Sequence, residues 1–219
     1  MRVIRILTAL ALGGLIMINI NGCSFKNQKV HENMKSLYGK IEKNRVKLDD
    51  WDTGYGISLD KSQITGETGK IIQNKNIAIE KSGKGFIKIS EEEKEDQKYG
   101  VEEKDGKFIY EKNMPEEYKE LEEVFDNLDF DKEFFKSLKI LESSPANENT
   151  RAESIIYEIP KENKNVQYLK HRYNLSDNLR IRVGGWANRD KDGVAYNLDL
   201  SIVDLESQIV ISVAIGYWR

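Results

Sequence analysis

Cysteine is nearly absent from this chain: among 219 residues there is one, Cys23. No disulfide framework can form within the chain, so its stability has to come from a packed core. Histidine is almost as scarce, with only His31 and His171. A Cys–His or zinc site therefore lacks ligands, and the patterns H-E-x-x-H, G-x-S-x-G and G-x-G-x-x-G do not occur. Three prolines in a chain rich in Lys, Asn, Ile and Glu give the composition of an AT-rich bacterial genome. Long apolar runs are missing too, apart from Ile6 to Ile18, which is shorter than the ~20 residues needed to span a hydrocarbon core of ~30 Å.

That one run organises the start of the chain. Arg2 and Arg5 precede it, and Asn19, Ile20, Asn21, Gly22 and Cys23 close it, which is the layout of a secretory signal with a small residue before the cut. Ile20-Asn21-Gly22-Cys23 resembles a bacterial lipobox, although Asn21 replaces the usual small or apolar residue. The resemblance implies cleavage between Gly22 and Cys23, a diacylglyceryl group on the Cys23 thiol, and a mature protein held on the outer face of the cell membrane. Two acyl chains make such anchoring stable. An ordinary cleaved signal with an incidental cysteine and an uncleaved anchor are the other readings of the same residues. The expected organisation is a signal peptide at 1–22, a lipidated N-terminus and tether at 23–47, and one domain at 48–219. Within the tether, Val30, Met34, Leu37 and Ile41 share a helical face.

What is present is enough to fold. At 39% hydrophobic and 32% charged residues the chain can fill a core, and loss of Arg2 and Arg5 with the signal makes a mildly acidic protein more so. Short β-like runs at Tyr55 to Leu59, Lys70 to Glu80, Phe86 to Ile89, Tyr99 to Glu103 and Lys107 to Glu111 predict an antiparallel meander. Ser82-Gly83-Lys84-Gly85 and Asp105-Gly106 supply its turns. From Pro115 the period becomes helical, with Tyr118, Leu121, Val124, Phe125 and Leu128 on one face. A second short helix is expected with Asp131 as N-cap and Phe134, Phe135, Leu138 and Leu141 buried, followed by a loop from Ser143 to Thr150 and a strand from Glu153 to Ile159. Asn163 to Asn174 reads as a third helix, with Val166, Leu169 and Tyr173 on its stripe and His171 facing solvent. Alternation through Leu179–Val183, Tyr196–Ile202 and Ile209–Tyr217 predicts a C-terminal meander. The fold class is α+β: an antiparallel sheet packed against two or three helices.

The candidates for chemistry are few. Ser58-Leu59-Asp60-Lys61 and Ser176-Asp177-Asn178 match S-x-x-K and S-D-N, but Ser58 lies in a β-like run and no K-T-G follows. Gly66-Glu67-Thr68-Gly69-Lys70 lacks the first glycine and the hydroxyl of a P-loop, and reads as a turn. Asn188, Asp190 and Asp192 with Gly193 match the first half of a calcium loop, with Asp199 at position 12, yet the flanks read as strands and Arg189 and Lys191 bring positive charge, so a polar hairpin is the stronger reading. Charge is polarised: Glu91 to Glu133 holds 18 acids against 7 bases, and Lys161 to Lys191 holds 8 bases against 3 acids. Solvated faces account for such runs, and so does a docking surface. Lys170, Arg172, Arg180 and Arg182 are the candidate partner-binding residues, suited to carboxylate or phosphate.

Asn165-Val166-Gln167-Tyr168-Leu169-Lys170-His171-Arg172-Tyr173-Asn174-Leu175 resembles the N-V-x-x-L-[KR]-x-R-Y-[ND] segment of the staphylococcal tandem lipoproteins, the conserved staphylococcal antigen type. Tyr99-Gly100-Val101-Glu102-Glu103-Lys104-Asp105-Gly106-Lys107-Phe108-Ile109 with a helix after it fits as well. The likeness covers roughly residues 99 to 206 and weakens upstream, where the family's Arg-Asn-Thr-Arg-Thr strand pair has no counterpart around Ile71 to Ile89. It implies a surface lipoprotein of a Gram-positive bacterium, linked to immune stimulation and host-cell interaction, with no catalytic residues. The expectation is thus a monomeric, non-enzymatic protein without cofactor or nucleic-acid partner, which binds a host or envelope macromolecule of acidic surface. A carrier of lipid or another hydrophobic ligand, with a cavity under the sheet, is the alternative.

Overall fold

Alternation of apolar and polar residues builds one antiparallel sheet from both halves of the chain. The computed structural model describes residues 31–32, 51–61, 70–105, 107–144, 152–190 and 193–219. Among them run ten strands: β1 Asp52–Lys61, β2 Lys70–Ile79, β3 Lys84–Glu91, β4 Gln97–Lys104, β5 Lys107–Tyr110, β6 Lys139–Ser144, β7 Ala152–Glu158, β8 Leu179–Asp190, β9 Gly193–Asp204 and β10 Ile209–Trp218. Their order is β5-β4-β3-β2-β1-β10-β9-β8-β7-β6. Two meanders are joined where β1 pairs with β10, from Asp52↔Trp218 to Lys61↔Ile209. Gly83 (φ 82°) and Asp105 (φ 54°) take the positive φ expected of their hairpin turns.

One face of the sheet carries the core. Leu200 lies between Val183 and Val213, and Ile215 between Leu198 and Tyr55, all of them buried. The helices lie on this face: α1 Glu120–Asn127 after a 3-10 turn at Glu116–Lys119, α2 Lys132–Ser137 and α3 Lys164–Arg172. From α1, Leu121, Val124 and Phe125 are buried, and the Phe125 ring meets Tyr55 edge-on at 5.2 Å. Phe108 approaches the same tyrosine at 5.5 Å, while Phe130 and Phe134 stand 5.0 Å apart. Asp131 caps α2, accepting from Glu133 N and Phe134 N at 2.9 Å each. Asn163 caps α3 through Asn165 N, and Asn174 (φ 51°) stops it.

The expected antiparallel sheet is present, and its ten strands with three short helices make the described chain mostly β. Two expectations need correction. Helix α2 ends at Ser137, so Leu141 is not on its buried side: it belongs to β6 and is 54% exposed. Ser143 and Ser144 likewise belong to β6 rather than to a loop.

Candidate binding face

Strand parity separates the candidate cations. On β8, Leu179 and Val183 point to the helices, so Arg180 and Arg182 stand on the opposite face, which is helix-free among the described residues, and both are exposed. Lys170 and Arg172 sit on α3, on the helix side. Lys170 pairs with Asp177, and Arg172 grips Glu123 of α1 with Nη1–Oε1 at 2.8 Å and Nη2–Oε2 at 3.2 Å. The four basic residues therefore do not form one patch. The charge polarisation is partly consumed inside the molecule, since Lys164 also pairs with Asp129.

Around Arg182 the helix-free face is short and polar. The register places Asn74, Ser58, Ser212, Ser201 and Arg182 in one cross-strand row, with Asn76, Gly56, Ala214, Asp199 and Gly184 in the next. Ser212 Oγ donates to Ser201 Oγ at 3.1 Å, and Asn76 Nδ2 to Asn74 Oδ1 at 2.5 Å. One row further, the Asn197 amide is assigned the orientation that satisfies both neighbours, its oxygen accepting from Trp186 Nε1 and its nitrogen donating to Ile215 O, both at 3.2 Å. Asp199 lies between Ala214 and Gly184, where a Cβ added to Gly184 would meet nothing within 4 Å. Burial pushes the Asp199 carboxyl up to about 7, and the Arg182 guanidinium opposes that rise. Its Oδ1 is inaccessible and has no hydrogen-bond partner. On β1, Asp60 is also raised by burial, partly countered by the Ser58 hydroxyl 3.0 Å away.

The remaining candidates fall as follows. Gly22, Cys23, Asp192 and the P-loop-like glycines lie outside the described residues. Asn188 and Asp190 occupy an extended hairpin, opposite Ala195 and Gly193, rather than a loop wrapped around a cation. Among the described residues no group of three metal-ligating side chains occurs. Gly193 is there for the backbone: with φ 147°, an added Cβ would stand 2.2 Å from Arg219 O. Ser176 has a structural partner in Asp204, to which its hydroxyl donates at 2.7 Å.

His31, which has no evident partner in the sequence, has one in space. Its Nδ1 stands 3.0 Å from the Tyr157 hydroxyl. Burial raises the Tyr157 pKa well above the usual phenol range, so the hydroxyl stays protonated, and the ring tautomer sets which of the two groups donates. No spacing rule links residues 126 positions apart. Among the described residues no helix is long and apolar enough to cross a membrane.

No protein-family model and no curated protein matches the chain. A crystal structure from Bacteroides ovatus, described as of unknown function, is similar over 76% of this chain with 13% identity and a TM-score of 0.19. The chain spans 40% of that protein's length.

Proposed function

We infer that the chain is a lipid-anchored, non-enzymatic surface protein of the bacterial envelope, which binds an acidic macromolecule through the helix-free face around Arg180 and Arg182. The observation that carries this reading is the exposure of those two arginines on the helix-free face, while Lys170 and Arg172 are engaged in ion pairs on the other. Arginine pairs bidentately with carboxylates, and Arg182 is flanked across the strands by Ser201 and Ser212. The rings of Tyr55, Phe108, Phe125 and Phe134 between sheet and helices favour a filled core, and so a binding module over a hydrophobe carrier. The membrane anchor follows from the Gly22-Cys23 junction, and intact mass of the mature protein tests it: an unmodified Cys23 thiol would sink it.

For the binding face, the full-length protein and its Arg180→Glu/Arg182→Glu variant are immobilised and challenged with envelope and host-surface extracts. A species retained by the first, released by salt and lost with the second is expected. Equal retention by both would eliminate the face, and a substrate turned over by the wild type alone would overturn the non-enzymatic reading.

A further inference from the structure

We propose that the β6 end of the sheet is a membrane-contact surface, with Ile140 and Leu141 entering the lipid interface beside the acyl anchor. This rests on the reading of Cys23 as lipidated. Among the described residues, the large apolar side chains left exposed are Ile109 at 51%, Ile140 at 39% and Leu141 at 54%. Two of them are consecutive on the outermost strand, where a register shift between Ile140 and Glu142 takes Leu141 out of the ladder. A bulge at a sheet edge re-aims side chains and interrupts pairing, so the feature that displays Leu141 also opposes edge-to-edge association with a second copy.

The start of the chain identifies the occupant. Ile140 pairs with Tyr157, whose hydroxyl holds His31. His31 follows Cys23 by eight residues, which reach at most about 29 Å fully extended. Ten strands at ~4.8 Å spacing put β5 up to about 43 Å along the sheet from β6. An anchor at Cys23 thus holds the β6 end against the bilayer and leaves the β5 end, with Ile109, free. This edge carries no excess of positive charge, since Lys139 stands 3.4 Å from Glu158 and Glu142 is exposed nearby. The contact is apolar, and salt should not release it.

Lipid attachment occupies the Cys23 sulfur, so Leu141→Cys, or Ile109→Cys as control, takes a single environment-sensitive fluorophore in the full lipidated chain. Reconstituted in phosphatidylcholine–phosphatidylglycerol vesicles, the label at 141 should shift to the blue and be quenched several-fold less by aqueous iodide than the label at 109, at low and high salt alike. Equal quenching at both positions would overturn the proposal. So would protection at 141 that grows with the protein-to-lipid ratio, which would assign the edge to a second copy. Protein that fails to float with the vesicles, or takes up a second label at Cys23, would overturn the anchor and this proposal together, and is told apart by that stoichiometry.

Discussion

Two aspartates on β9 respond to pH with opposite sign. Asp204 is 2% exposed, and burial alone would raise its pKa. The Ser176 hydroxyl and backbone at 2.7 and 3.0 Å, Glu206 N at 2.9 Å and the Ser207 hydroxyl at 2.8 Å outweigh that and hold it well below the carboxylate range. Its contribution to stability is fully present above the unfolded value of ~3.9 and is lost as pH falls through the folded one. Asp204→Ala leaves those donors unsatisfied and should cost about 1–3 kcal/mol near neutrality, measured by denaturant unfolding, with the gap narrowing in strong acid. Asp199 is the reverse case: the folded chain retains a proton up to about pH 7 that the unfolded chain has lost above ~4. Wild-type stability therefore falls as pH climbs through that window and levels off beyond it. Asp199→Asn should remove this slope and stabilise the protein at pH 8 by about 1–3 kcal/mol, discounted for the solvent contact the residue keeps. Thermal midpoints of both forms from pH 5 to pH 8 check it, and parallel curves would refute it.

The helices sort strong contacts from weak ones. Leu121 of α1 is fully buried against the sheet, and Leu121→Ala should destabilise by about 2–5 kcal/mol; a loss under ~0.5 kcal/mol would mean that the face is not packed. The Arg172–Glu123 bridge joins α3 to α1, but the Glu123 side chain is 60% exposed. Glu123→Ala should therefore change stability by less than ~1 kcal/mol. Periods of two and 3.6 made most elements legible, because Leu198, Leu200 and Ile202 alternate on β9 and Leu121, Val124 and Phe125 share one side of α1. The end of α2 was not legible. Phe134, Phe135, Leu138 and Leu141 keep helical spacing past Ser137, and only the pairing of Ile140 with Tyr157 reveals the switch to a strand. For the binding face, alternation alone placed Arg180 and Arg182 opposite Val183. That α3 would take Lys170 and Arg172 to the other side depends on packing, which sequence spacing does not carry.

Joining the two meanders through β1 and β10 should make the sheet one cooperative unit. Ile215 sits at the joint: it is fully buried, opposite Tyr55 on β1 and Leu198 on β9, and Tyr55 in turn meets Phe108 and Phe125. Residues so far apart in sequence pair only after a long loop has closed, so neither half can complete its core before the joint forms, and folding should be slow, in milliseconds to seconds. A truncation here is therefore felt in both halves rather than locally. Ile215→Ala should lower global stability by about 2–5 kcal/mol, and native-state hydrogen exchange should show the most protected amides of β3 and β8 losing protection by the same factor. Protection that fell in β8 and stayed unchanged in β3 would show that the N-terminal meander holds itself together without the joint.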